Sequence, residues 1–327
     1  MAILVTGGAG YIGSFVVRQL IDEGHVVVIL DDFSSGYRRS MPGKAEVYHY
    51  DMLDRDVLHD VFSSYQISTV IHLGAKISVP ESFKDPLAYY NTNVVSTSNL
   101  LHVGYEFGVA NFVLASSAAV YGNQTVGHDF WGQDPGAPAL SPSSPYGWSK
   151  LMAEQLVRDF ANAHQGFCYA NLRFFNVGGA NGSKLGPYNR MAGNITKRIA
   201  SVAAGWDNSL NLYGDGHSTR DYIHVIDVAD AVVESYRYCR DRGGKFTSNV
   251  AAMTPNSIND LITVTEKITG KPLPIKAFDR RAGDVDYMVS GGSTLHNLTG
   301  WKPLQSSIEE IMRSQIEWER SKYWEQI

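Results

Sequence analysis

Cysteine is scarce in this chain, with Cys168 and Cys239 the only two in 327 residues. They lie far apart and at no metal-ligand spacing, which argues against a disulfide framework and against a zinc site. Reduced thiols, no bound metal and a cytoplasmic location are therefore expected. Long apolar runs are missing too. None approaches the ~20 residues that a membrane-spanning helix needs, and the opening residues lack the basic and apolar stretches of a signal peptide. An excess of positive charge is likewise absent: 28 Lys and Arg stand against 33 Asp and Glu, a formal net charge of −5. That balance gives no electrostatic ground for nucleic acid or an anionic membrane as a partner. Internal repeats and low-complexity segments are not found. What remains is a globular composition, 44% hydrophobic and 19% charged, with length for one large domain or two smaller ones.

Short β-branched runs alternate with longer helical stretches through the first part of the chain. Residues 3–5, 26–30, 47–50, 69–73, 112–115 and 169–173 read as buried parallel strands, and 12–23, 54–64, 86–107 and 146–165 as the helices between them. This βαβ series predicts an α/β fold, a Rossmann doubly wound parallel sheet. After Asn176 the texture turns to Gly, Asn, Ser and Pro, which places a boundary between a first domain, 1–175, and a smaller mixed α/β domain, 176–327. The amphipathic stretch within 220–245 is expected to pack back on the first domain.

Thr6-Gly7-Gly8-Ala9-Gly10-Tyr11-Ile12-Gly13 follows the first strand and opens the first helix. Gly7, Gly10 and Gly13 fit the G-x-x-G-x-x-G form of the dinucleotide fingerprint, in which missing side chains let a pyrophosphate approach a helix N-terminus. The second strand ends in Asp31-Asp32, where a carboxylate can accept hydrogen bonds from an adenosine ribose and repel a 2′-phosphate. NAD rather than NADP is the expected cofactor. Farther on, Ser116-Ser117 ends the fifth strand, and Tyr146 and Lys150 stand one helical turn apart. On one helical face the ammonium can approach the phenol, favour the phenolate and turn the tyrosine into a general base.

Together with His72-Leu73-Gly74-Ala75, Ser116-Ser117-Ala118-Ala119-Val120-Tyr121-Gly122 and Ser144-Pro145-Tyr146-Gly147-Trp148-Ser149-Lys150, these segments resemble the extended short-chain dehydrogenases of the NAD-dependent epimerase/dehydratase family. Arg173-Phe174-Phe175-Asn176-Val177-Gly178-Gly179-Ala180, the run from Gly214-Asp215-Gly216 to Arg220-Asp221-Tyr222-Ile223-His224-Val225, and Arg280-Arg281-Ala282-Gly283-Asp284 narrow the resemblance to the pattern of the UDP-glucose 4-epimerases. It runs over nearly the whole chain.

The resemblance implies NAD-dependent inversion of a UDP-hexose at C4 through a 4-keto intermediate, with a UDP-sugar as substrate and a homodimer as the assembly. By the same likeness Tyr146 is the base, Lys150 positions the nicotinamide ribose and Ser117 bonds the reacting hydroxyl. The NAD site is lined by Tyr11, Ile12, Asp31, Asp32, Phe33, Ser34, Ser35, Gly36, Asp51, Met52, Leu73, Gly74, Ala75, Lys76, Thr92, Ser116 and Phe175. Asn176, Asn194, Ile195, Tyr213, Arg220, Arg281 and Asp284 hold the nucleotide and diphosphate. Met288 faces the sugar's C2 substituent. The chain departs from the pattern at Phe174, Trp148 and Gly291-Gly292, and it lacks a longer loop before Arg220. Sugar dehydratases and decarboxylases of this fold need an acid beside the serine, where this chain has Ala118 and Ala119. Epimerisation of UDP-N-acetylglucosamine or UDP-glucuronate, and a non-catalytic NAD-binding regulator, are the alternatives.

Overall fold

The computed structural model describes residues 1–122, 140–188, 194–280 and 285–321. In chain order the first half runs β1 (Ala2–Thr6), α1 (Tyr11–Asp22), β2 (Val26–Asp31), β3 (Glu46–His49), α2 (Arg55–Ser64), β4 (Ile67–His72), α3 (Val79–Lys84), α4 (Pro86–Tyr90), α5 (Ser96–Glu106), β5 (Asn111–Ser117), α6 (Pro145–Ala163) and β6 (Cys168–Phe174). The second half runs β7 (Asn176–Gly178), α7 (Ile195–Ala203), β8 (Leu210–Tyr213), β9 (Thr219–His224), α8 (Val225–Arg242), β10 (Lys245–Val250), β11 (Pro255–Ser257), α9 (Ile258–Thr269), β12 (Ile275–Phe278), β13 (Tyr287–Met288), α10 (Thr294–Thr299) and α11 (Ile308–Arg320).

Seven parallel strands form the main sheet in the order β10-β6-β5-β4-β1-β2-β3. A sheet buried on both faces needs strands that are apolar on both, and β1 is buried at all five positions. Its side chains alternate accordingly. Ile3 and Val5 pack with Val16, Val17 and Leu20 of α1 and Val228 and Val232 of α8, while Ala2 and Leu4 pack with Leu58 of α2, Leu100 of α5 and Val157 of α6. Each such fully buried aliphatic side chain contributes roughly 1.5–3 kcal/mol. The strand order reverses between β1 and β4, so a crevice opens at their C-terminal ends, where doubly wound sheets take ligands.

Two features differ from the sequence-based reading. The helix expected over 86–107 is interrupted: α4 gives way to a π turn at Asn91–Val95 before α5 begins, and a separate short helix, α3, precedes it. The cause is tertiary, because buried Asn93 turns its amide onto both backbone groups of Lys76 and onto Ser149 Oγ at 2.9–3.0 Å. The main sheet also gains β10, drawn from beyond residue 176 and paired with β6. α8 packs on α1.

The smaller part holds a four-stranded sheet of β11, β9, β13 and β7 and a two-stranded sheet of β8 and β12. Helices α7, α9 and α11 close over a second core that includes Ile199, Leu261, Ile311 and Met312.

Candidate active site

The turn between β1 and α1 is backbone packed on backbone. Gly7 adopts φ +67°, and a Cβ there would lie 2.5 Å from Gly74 N. A Cβ on Gly13 would lie 2.1 Å from Gly7 O. Gly10 is the N-cap of α1 and offers no side-chain acceptor to the first turn, so the N–H groups of Tyr11 and Ile12 face outward at the positive end of the helix. That is the donor set an anionic pyrophosphate requires. Asp31 ends β2 with its carboxylate fixed by the N–H groups of Ala9 and Phe33, each at 2.9 Å. Burial pushes its pKa up, and these hydrogen bonds oppose the rise. Gly36 lets the next segment pass close to Asp31 Oδ1. The cradle and the carboxylate fit a dinucleotide with a free ribose 2′-hydroxyl.

Some of the other expected NAD residues lie against this turn. Leu73 N donates to Thr6 O at 3.1 Å, Gly74 lies against Gly7 and Met52, and Asp32 caps Ser34. Ser35 and Asp51 are exposed, Ala75 follows Gly74, and Thr92 lies in the π turn. Phe33 takes a positive φ of 55°, with the Arg38 guanidinium 4.7 Å over its ring. Lys76 is directed elsewhere, its ammonium 3.7 Å from Glu81 and over the Tyr89 ring.

Ser117 closes β5 and starts a 3-10 turn, Ala118–Tyr121, by accepting from Ala119 N. Ser144 caps α6 and Pro145 occupies its first turn, which fixes where Tyr146 and Lys150 project. Tyr146 is buried, with Ser117 as the polar neighbour that favours its ionised form. The expected lowering of its pKa by Lys150 is not what results: burial raises it, and Ser117 opposes the rise. The Lys150 ammonium donates to Ala115 O at 2.8 Å instead. Burial brings that lysine down to about 8, against the pull of Glu154.

On the smaller part, a cavity of about 280 Å³ is lined by Asn176, Asn194, Ile195, Tyr213 and Arg220, all expected, together with Arg198, Asn211, Ser218 and Ile258. The last four were not anticipated. Arg198 follows Asn194 by one helical turn, and Asn211 shares a face of β8 with Tyr213, so helix and strand periods were the available signal. Asn194 spends its side chain on the scaffold, capping α7 through Thr196 N and donating to Val177 O. Arg220 braces the carbonyl of Val285 at 2.6 Å. Tyr213 stacks on Phe278 with centroids 5.3 Å apart. Met288 pairs with Arg220 in the β9–β13 register and packs beside Ala118, Tyr121 and Phe175. It thus joins the cavity strand to the Ser117 turn. Arg281 and Asp284 lie outside the described residues. Among the described residues no His, Cys, Asp or Glu cluster suits a metal, and no helix is long and apolar enough to cross a membrane.

The profile of the NAD dependent epimerase/dehydratase family matches residues 3–251. A curated UDP-glucose 4-epimerase of Lacticaseibacillus casei is 36% identical, over 97% of this chain and 96% of its own. Among solved structures, a UDP-glucose 4-epimerase from Stenotrophomonas maltophila, with bound NAD and formylated UDP-arabinopyranose, superposes with a TM-score of 0.89 at 32% identity, covering 98% of each chain. One from Brucella ovis, in complex with NAD, gives 0.90 at 30% identity and 98% coverage of both.

Proposed function

Since the chain belongs to the NAD dependent epimerase/dehydratase family, we propose that it is a UDP-glucose 4-epimerase, inverting C4 of UDP-glucose and UDP-galactose with NAD as cofactor. The observation that carries the chemistry is Tyr146, buried beside Ser117 at the end of β5, with Lys150 one turn along the same helix. Tyr146 Oη takes the proton of the C4 hydroxyl, and Ser117 Oγ holds that oxygen in line. Lys150, anchored on Ala115 O, keeps two further N–H donors for the nicotinamide ribose. Gly7, Gly10, Gly13 and Asp31 hold the dinucleotide, which when bound supplies the hydride acceptor and donor at C4. The UDP end is gripped in the cavity of β7, α7, β8 and β9, with Arg220 on the phosphates. A firm hold there lets the sugar turn its other face to the same tyrosine.

Elimination chemistry lacks its acid. Ala118 and Ala119 occupy the turn after Ser117, and Glu154 is engaged by Arg173 and Ser116. Replacing Tyr146 by Phe tests the reading: turnover of UDP-galactose falls by about 10²–10⁴-fold, with bound NAD retained. Activity near that of the unaltered protein would refute the role of Tyr146.

The assembly we infer is a homodimer. Phe83, Leu87, Trp148 and Met152 are all exposed on α3, α4 and α6, which pack together. Exposed apolar side chains on three helices that pack together favour burial against a second copy. Light scattering that returned a monomer mass at about micromolar concentration would overturn this. Two free cysteines, both buried, support a reducing compartment such as the cytoplasm.

A further inference from the structure

Behind Ser117 lies a set of polar side chains that take no direct part in proton transfer and are nonetheless sealed from solvent and joined to one another. Glu154 stands one turn beyond Lys150 on α6 and is 1% exposed; Arg173 on β6 is 4% exposed. Arg173 grips the carboxylate as a fork, Nε to Oε1 at 2.9 Å and Nη2 to Oε2 at 2.7 Å. Ser116 Oγ donates to the same Oε1. The remaining arm of the guanidinium, Nη1, donates to Tyr121 Oη at 2.9 Å, and Tyr121 donates to Asn249 Oδ1 at 2.7 Å.

The placement of these contacts is what matters. Ser116 immediately precedes Ser117, and Tyr121 ends the 3-10 turn that follows it. One ion pair therefore holds the backbone on both sides of Ser117, and its carboxylate comes from the helix that carries Tyr146 and Lys150. Stability alone gives little reason to keep such a pair, because well-packed apolar side chains of similar volume are often as good or better. Direction is what the fork adds, since a bidentate guanidinium fixes angle as well as distance.

We propose that the Glu154–Arg173 pair is a positioning device for proton transfer, holding the end of β5 against α6 so that Ser117 Oγ meets Tyr146 Oη. Its activity readout rests on the epimerase reading; its spectroscopic readout does not. The test is the holoenzyme of the double variant Glu154→Met/Arg173→Met, which removes both charges together and leaves neither stranded. Expected are an unfolding midpoint and a UDP affinity near those of the unaltered protein, an unchanged KM, and a kcat lower by about 10- to 100-fold, the usual cost of misplacing a reacting group by an ångström or less. A near-ultraviolet difference titration, each protein against its own Tyr146→Phe derivative, should show the phenol ionising at higher pH once its Ser117 partner is lost. A folded double variant with kcat within about twofold and an unmoved phenol titration overturns the proposal. If the double variant does not fold, Arg173→Lys keeps the charge without the fork: a lower kcat at constant KM supports positioning, and unchanged kcat overturns it. Should the unaltered protein lack epimerase activity, the functional reading fails, and the titration still decides the placement of Ser117.

Discussion

Lowering the pH should weaken the fold through two histidines that it keeps neutral. His72 ends β4 beneath the glycine turn, with Nδ1 2.6 Å from Thr6 Oγ1 and Nε2 3.2 Å from Thr97 Oγ1. Burial pulls its pKa down to about 3, and the nearby Lys150 adds to the effect. His224 caps α8, accepting from Ile226 N at its Nδ1, and burial takes it to about 4 against the attraction of Asp227. In the unfolded chain both return to about 6.5. Because the folded values are the lower ones, the unfolded state binds more protons below pH 6.5, and stability present at neutral pH is lost as pH falls. At about pH 5 each histidine has cost roughly 2 kcal/mol, a large share of the ~5–15 kcal/mol that holds a typical domain. Asp221 runs the other way. Burial raises its pKa to about 7 against several backbone hydrogen bonds, so its protonation on folding offsets part of the loss. The informative quantity is therefore a difference: urea denaturation at about pH 7.5 and about pH 5 for the unaltered protein and for His72→Gln, whose amide can still bond both threonines. The variant should lose about 2 kcal/mol less between the two pH values. Parallel profiles would mean that His72 is not held neutral, and the reasoning would fail.

Two further outcomes follow from the site. NADP should bind on the order of 100-fold more weakly than NAD in a fluorescence titration, because a 2′-phosphate meets the buried Asp31 carboxylate; equal affinities would mean that Arg38, stacked on Phe33, turns to the phosphate. UDP-glucose and UDP-galactose should be preferred, with weaker turnover of UDP-N-acetylglucosamine, because the unbranched Met288 can move partly aside for an acetamido group. Met288→Tyr should sharpen that preference by about tenfold in kcat/KM; unchanged discrimination removes Met288 from the sugar site.

What the sequence disclosed and what it hid divide along the range of the interactions. The glycine turn, the strand-end Asp31 and the Tyr146–Lys150 spacing are local, and the structure places them on β1, β2 and α6 as short-range patterns require. The interruption after Tyr90 was hidden because apolar periodicity does not register Asn93 bonding to Lys76 and Ser149 across the fold. Strand β10 was hidden because its buried middle is Thr247, Ser248 and Asn249, polar residues that only their distant partners make acceptable inside a sheet. The same holds for Glu154 and Arg173, whose burial no composition rule anticipates.

The ionisation of Tyr146 and Lys150 is set by their burial. Burial raises Tyr146 and lowers Lys150, so the interior by itself favours the neutral form of each. A phenol held in that state is a poor base, and a tyrosine used to take a proton from a sugar hydroxyl must gain its competence from groups brought within reach when the site fills. Among the described residues Ser117 already acts in that direction. On the proposed role of Tyr146, its reactivity should respond to the placement of the Ser117 hydroxyl. The surroundings of Ser117, the alanine pair of the turn that follows it and the buried ion pair of Glu154 and Arg173, are therefore expected to bear on that chemistry.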